Sequence, residues 1–215
     1  MKKDQCGMHV LGITGGIGSG KSEVLKILGE EPGSYILEAD RLAHELMTPG
    51  HICYREIVEH FGQEILAGDG TIDRGKLGTF VMQSPEGLKA LNDIVHPAVK
   101  RSIRSRIRRR AAGGIRLFVI EAALLIQDGY RDICDEIWYI HVEKEQRIGR
   151  LLAGRGGSRE KWEAFIANQP EDAFFRKNSD VTIENQGSFP ELRTNIRREV
   201  QRLFLKYMGK SATIS

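Results

Sequence analysis

Apolar positions along the chain follow two patterns. Three runs are almost continuous, His9 to Thr14, Leu117 to Ile120 and Glu136 to Val142, as expected of strands covered on both faces by helices. Two shorter runs of the same kind, Tyr35 to Leu37 and Val181 to Ile183, sit between turn signals. Elsewhere the apolar residues recur every three or four positions. After Lys21, the residues Val24, Leu25 and Leu28 share a face, and the pattern stops near Gly29. Ile196, Val200, Leu203 and Phe204 make a similar stripe, and Ser188-Phe189-Pro190-Glu191 opens that helix with capping-box spacing. Strands alternating with helices predict an α/β fold, a parallel sheet flanked by helices.

From Arg41 to Arg110 the periodicity is helical, with breaks at Thr48-Pro49-Gly50, Gly68-Asp69-Gly70, Ser84-Pro85 and His96-Pro97. This predicts an inserted helical subdomain over about residues 41–112, within a core of about 1–40 and 113–208. Its last helix is expected to start at Pro97, with Val99, Ile103 and Ile107 on one face. Lys100, Arg101, Arg104, Arg106, Arg108, Arg109 and Arg110 lie around the others. Further on, Gly154-Arg155-Gly156-Gly157 precedes Ser158, an N-cap for a helix towards Asn168 that ends before Gln169-Pro170. Glycines beside an arginine predict a lid over about residues 154–170. The tail from Gly209 to Ser215 is expected to fray.

The 215 residues suffice for one α/β unit with an insertion and fall short of two ordinary domains. Lys plus Arg number 32 against 29 acids, and the formal charge of +3 is too mild to argue for wholesale binding to nucleic acid or membrane. The three cysteines, Cys6, Cys53 and Cys134, are far apart and form no C-x-x-C pair, so neither a disulfide framework nor a zinc site is indicated. A reducing cytosol fits them. Met1-Lys2-Lys3-Asp4 leads into only a brief apolar run, far from the roughly 20 apolar residues that span a bilayer. Neither a signal peptide nor a membrane anchor is expected.

The first apolar run leads into Gly15-Gly16-Ile17-Gly18-Ser19-Gly20-Lys21-Ser22, which fits the phosphate-loop pattern G-x-x-x-x-G-K-[ST]. Such a loop turns successive N–H groups into a concavity, and the helix that follows adds its positive pole. Lys21 would reach the β and γ phosphates, and the Ser22 hydroxyl would ligate Mg²⁺. Gly16, Gly18 and Gly20 recur at every second residue, unlike the G-x-G-x-x-G of dinucleotide folds. In an open parallel sheet ligands lie at the carboxyl ends of strands, so Asp40, just past the second strand, is a candidate for chemistry. Glu121 ends another strand, either as an acid that orients the ligands of Mg²⁺ or as a residue in solvent. His141 lies inside an apolar run and reads as a satisfied core histidine. The arginine cluster from Lys100 to Arg110 reads as a solvated face, or as a surface that draws in a polyanionic substrate.

Together these segments resemble the dephospho-coenzyme A kinases, and the resemblance covers nearly the whole chain. Its motifs run in order. They are Gly12 to Ser22, the acids around Ala39, Asp69-Gly70-Thr71-Ile72-Asp73-Arg74, Leu91-Asn92-Asp93-Ile94-Val95-His96-Pro97, Glu121-Ala122-Ala123-Leu124-Leu125, and Asp180-Val181-Thr182-Ile183-Glu184-Asn185. The resemblance implies a P-loop NTPase-type core with a helical substrate subdomain and a lid. It implies ATP with Mg²⁺, dephospho-coenzyme A as acceptor, and transfer of the γ-phosphoryl to the 3′-hydroxyl. It makes Gly15 to Ser22 the ATP site with Glu23 beside it, and Asp40 the catalytic base. His96 and Pro97 would belong to the part that holds the coenzyme A moiety, and Arg155 and Asn185 would lie near the lid and the adenine. Four departures stand out. Glu38 stands where the family's Asp-Ala-Asp has its first acid, and Glu23 stands where the family usually has Thr. The family's Pro-Leu-Leu-Phe-Glu is Ala123-Leu124-Leu125-Ile126-Gln127, without the acid at its end, and Arg150 and Arg155 are five apart where the family's lid arginines are four apart.

Two other readings use the same loop. Another small-molecule or nucleotide kinase shares the loop and the lid. A nucleotide-dependent RNA-binding NTPase could use the Lys100 to Arg110 cluster as its nucleic-acid surface. Against the latter, no aromatic residues interleave with the arginines to stack bases, and no N-K-x-D segment that would read guanine is present.

Overall fold

Strand β1 (His9–Thr14) forms the middle of a five-stranded parallel sheet and is buried along its whole length. The computed structural model describes residues 7–211, with side chains as far as Lys206. Contacts divide the chain into two compact units, one running through Leu37 and resuming at Ala111, the other Glu38–Arg110.

In the first unit β1 leads to α1 (Lys21–Gly29) and β2 (Ser34–Glu38). After the second unit come β3 (Leu117–Glu121), β4 (Glu136–His141), α6 (Lys144–Arg155), α7 (Arg159–Ala167), α8 (Asp172–Asn178), β5 (Val181–Glu184) and α9 (Phe189–Ser211). The sheet order is β2-β3-β1-β4-β5. β1 pairs with β3 on one side and β4 on the other, and β4 pairs with β5. The near-continuous apolar runs are therefore the inner strands, as burial on both faces requires.

One face of the sheet is covered by α1 and α9. Leu11 and Ile13 of β1 and Trp138 of β4 pack there with Val24, Leu28, Ile196, Val200 and Leu203. On the other face Gly12 is closely approached by its neighbours. A Cβ built there would stand 2.9 Å from Cys134 Sγ and 3.1 Å from a Leu125 methyl, so a side chain would push apart the segment after β3. Cys53 and Cys134 are buried free thiols, and Cys6 lies outside the described residues.

Sequence periodicity did not anticipate α8, whose seven residues are too short to display it. It is held by tertiary contacts. Phe175 stacks on Tyr139 of β4 with ring centroids 4.8 Å apart. His141 is buried, as expected of a satisfied core histidine, with Nδ1 2.6 Å from Glu184 Oε2 and Nε2 3.4 Å from Asp172 Oδ1. Burial and a hydrogen bond to Asp172 push the Tyr139 hydroxyl's pKa up. Ser188 and Glu191 exchange capping bonds at the start of α9, the Ser188 N–H donating to Glu191 Oε2 at 2.7 Å. α9 continues through Gly209 to Ser211, where fraying was expected; the rest of that tail, residues 212–215, lies outside the described residues.

The second unit contains α2 (Ala39–Leu46), α3 (Ile52–Phe61), α4 (Arg74–Met82) and α5 (Pro85–Ala112). Asp73 caps α4 by accepting from the N–H groups of Gly75 (2.8 Å) and Lys76 (3.1 Å). The expected break at His96-Pro97 is absent. α5 runs unbroken for 28 residues with Pro97 inside it. Proline removes a helix hydrogen bond there at a cost of about 3 kcal/mol. Val95, Ala98, Val99 and Ile103, buried on either side of it, hold the helix together across the proline. In the basic segment, Arg106 pairs with Glu45 at 2.5 Å, while Arg101, Arg108 and Arg109 are exposed.

Candidate functional site

The loop between β1 and α1 stands at the carboxyl edge of the sheet. Gly18 (φ +78°) and Gly20 (φ +83°) take left-handed backbone conformations that side chains disfavour. Gly20 is the N-cap of α1, so the helix begins at Lys21 with its first-turn N–H groups turned towards the loop's hollow. The Lys21 ammonium bends back over the loop. It donates to Gly15 O at 2.8 Å and Gly16 O at 3.5 Å. It also lies 3.8 Å from Glu121 Oε1.

Register explains the Glu121 contact. Ile13 and Glu121 are partners across β1 and β3, so the carboxylate leaves its strand level with the start of the loop. Glu121 is 9% exposed, which removes the reading of it as a strand-end residue in solvent.

On the β5 side, Asn185 is 4% exposed and its Nδ2 donates to Ser19 O at 2.9 Å. Arg150 of α6 donates from Nη2 to Asn185 O at 2.7 Å. A Cβ on Gly20 would overlap both Asn185 Nδ2 and Glu23 Oε2, so glycine is required there for space as well as for φ. Arg150 Nη1 and Ser19 Oγ are buried without a hydrogen-bond partner among the described residues. Buried polar groups are nearly always satisfied, so these two mark a place where a polar ligand has work to do.

At the loop's tip, Arg147 donates from Nε to Ile17 O at 2.8 Å, and Gln169 Oε1 accepts from Ile17 N–H at 3.0 Å. Burial lowers the Arg147 pKa from its ordinary value, and arginine stays charged at neutral pH even so.

Of the residues the sequence singled out, Gly15, Gly16, Ile17, Gly18, Ser19, Gly20, Lys21, Ser22, Glu23 and Asn185 come together in this one unit. Arg155 makes no hydrogen bond or ion pair to the loop among the described residues. It is the exposed last residue of α6, while earlier on the same helix Arg147 donates to Ile17 O of the loop and Arg150 to Asn185 O. Asp40, His96 and Pro97 belong to the other unit. Asp40 is exposed in the first turn of α2, His96 is half-buried within α5, and Pro97 is exposed beside it. Sequence reasoning missed the roles of Arg147 and Gln169. Gln169 reads in the sequence as part of a break before Pro170, and nothing in the sequence of α6 shows which of Arg147, Arg150 and Arg155 turns inward.

The donor set suits magnesium. Among the described residues no three His, Cys, Asp or Glu side chains converge as a ready-made cage, and magnesium needs none, because it is bound through one or two protein oxygens plus substrate phosphates and keeps several waters. Ser22 in the first turn of α1 and Glu121 beside Lys21 are oxygen donors of that kind.

The family model of the dephospho-CoA kinases matches residues 9–191. The dephospho-CoA kinase of Carboxydothermus hydrogenoformans is 40% identical over 91% of this chain and 94% of its own length. A Thermus thermophilus protein of known crystal structure is 30% identical, with a TM-score of 0.75 over 93% of this chain and 97% of that one. The Campylobacter jejuni dephospho-CoA kinase, at 22% identity, shares the fold with a TM-score of 0.69 over 92% of this chain and 98% of its own. With the loop, its lysine and the parallel sheet in place, this chain belongs to the dephospho-CoA kinase family and is a P-loop kinase.

Proposed function

We propose that this protein transfers the γ-phosphoryl group of ATP to the 3′-hydroxyl of dephospho-coenzyme A, giving coenzyme A and ADP in the cytoplasm. The observation that carries the reading is the reach of the family match. Residues 9–191 include the phosphate loop in one unit and the Leu91 to Pro97 segment in the other, so the resemblance is not confined to a loop that many kinases share.

A hydroxyl is a poor nucleophile at neutral pH, so the protein must hold it in line, neutralise charge on the transferring group and accept a proton. Gly15 to Ser22 would cradle the phosphates with main-chain N–H groups, and Lys21 would leave Glu121 for the β and γ oxygens. Ser22 would hold Mg²⁺, which supplies charge neutralisation across the phosphates when bound. Glu23 and Asn185 would lie along the nucleoside side of the loop, and Arg155 would move with the lid. Asp40 would accept the proton. It directly follows β2 in the chain, and ligands of open parallel sheets lie past the carboxyl ends of strands. His96 and Pro97 would help the helical unit hold the acceptor.

The test is an ADP-release assay offered dephospho-coenzyme A, nucleosides and shikimate-type alcohols in turn. Turnover is expected with dephospho-coenzyme A alone and should be indifferent to added RNA. Comparable turnover with another alcohol, or stimulation by RNA, would overturn the assignment.

A further inference from the structure

The tip of the phosphate loop is gripped by two residues from opposite ends of the α6–α7 segment. Arg147 lies in the first turns of α6, and Gln169 follows α7, its own N–H donating to Ile166 O at 3.1 Å. Both polar groups of the Ile17 residue are engaged, the carbonyl by Arg147 Nε at 2.8 Å and the N–H by Gln169 Oε1 at 3.0 Å. The two side chains also bind each other, Arg147 Nη2 donating to Gln169 Oε1 at 2.5 Å. Gly16 completes the arrangement, because a Cβ there would overlap the guanidinium.

A half-buried guanidinium whose hydrogen bonds go to neutral oxygens is expensive, since desolvation is not repaid by a counter-charge. Among the described residues no carboxylate forms an ion pair with it. The arrangement does bear directly on the loop. With Ile17 N–H committed to Gln169 and Ser19 N–H given to Gly16 O at 3.2 Å, the anion-facing donors shift towards the start of α1.

We infer that Arg147 and Gln169 are positioning residues of the phosphate loop, fixing the Ile17 peptide so that the donors after it face the phosphates of ATP. The inference rests on the phosphate-loop reading. Because the two residues bracket the stretch between them, they also pin both roots of the segment expected to act as a lid.

The experiment compares Arg147→Met, Gln169→Leu, the double variant, Gln169→Glu and a Lys21→Met control, each checked for its melting temperature. Misplacing the loop should raise KM for ATP and lower kcat/KM for ATP by roughly 10- to 100-fold in either single variant. KM for dephospho-coenzyme A should stay near wild type. The double variant should be no worse than the worse single one, because both act through one peptide. Gln169→Glu keeps the acceptor and should retain most of the ATP kinetics. The inference fails if both single variants keep wild-type ATP kinetics while Lys21→Met loses them. It also fails if KM for both substrates rises in step with lost thermal stability. Normal turnover in Lys21→Met would instead remove the phosphate-loop reading, and this inference with it.

Discussion

Lys21 and Glu121 form a partly buried ion pair, 3.8 Å apart, that joins the end of the phosphate loop to the end of β3. The lysine is also held at 2.8 Å by Gly15 O, so its head stays over the loop's hollow. Removing that positive charge should cost turnover without unfolding the chain, because the ammonium belongs to no apolar cluster. Lys21→Ala is expected to lower kcat by about 10²- to 10³-fold with its thermal melt nearly unchanged. Near-normal turnover at saturating ATP and Mg²⁺ would contradict the phosphate-loop assignment.

Glu121→Gln separates the two things this carboxylate could do. As an acid orienting the magnesium shell it should weaken apparent metal affinity or activity by about 10- to 100-fold. As nothing more than the resting partner of Lys21, its loss should leave the metal titration alone and let ATP compete more easily for the lysine. We expect the first result. A Mg²⁺ titration of turnover at saturating ATP decides between them.

The sheet was legible in the sequence because its inner strands carry almost no polar positions, and β1 is fully buried as that pattern requires. The loop was legible because its chemistry is local, with residues 15–22 adjacent in the chain. Contacts that close the loop from a distance were not. Asn185 was suggested by resemblance, but its bond to Ser19 O spans 166 residues, and the grip of Gln169 on Ile17 spans 152. No periodicity reports pairings of that separation. Pro97 misled for the opposite reason. Its local preference is to end a helix, and the buried residues on both sides of it overrode that preference.

The α6–α7 segment should respond to ligand. Its glycines Gly156 (φ +65°) and Gly157 (φ +85°) form a joint between the two helices. Trp162 is tied back across that joint, its Nε1 donating to Gly156 O at 2.8 Å. Limited proteolysis is expected to cut within residues 154–170 in the free protein and to be slowed by a non-hydrolysable ATP analogue with acceptor. Equal cutting in both conditions would remove the lid.

Acid should weaken the union of β4 and β5 through Asp180. A hydrogen bond from Arg131 holds the Asp180 carboxyl below its usual range, helped by the Ile137 N–H, which donates to Oδ2 at 2.7 Å. The folded pKa is therefore lower than the unfolded value of about 3.9. As pH falls the unfolded chain takes up this proton first. The carboxylate's stabilising contribution is present above the unfolded value and is lost as pH drops through the folded one. Asp180→Asn should start less stable at neutral pH, and the gap to wild type in urea midpoint should narrow below about pH 4. A gap that stays constant through the acid range would mean that Asp180 contributes no pH dependence.

Asp40 carries the remaining chemical question, whether a carboxylate in the first turn of α2 accepts the proton of the attacking hydroxyl. It is exposed and follows β2 in the chain without an intervening loop. Asp40→Asn keeps size and hydrogen-bonding capacity but removes the acceptor. Loss of general-base catalysis predicts a fall of about 10²- to 10⁴-fold in turnover with ATP binding nearly unchanged. A water-mediated magnesium ligand predicts something different, with excess Mg²⁺ restoring part of the rate and apparent metal affinity reduced. One metal titration on the variant therefore separates base from ligand. Turnover within about threefold of wild type, at saturating ATP, Mg²⁺ and dephospho-coenzyme A, is far short of either loss; it would exclude both roles for Asp40 and direct attention to Glu38, which stands just before the same helix and pairs with Arg41 at 3.1 Å.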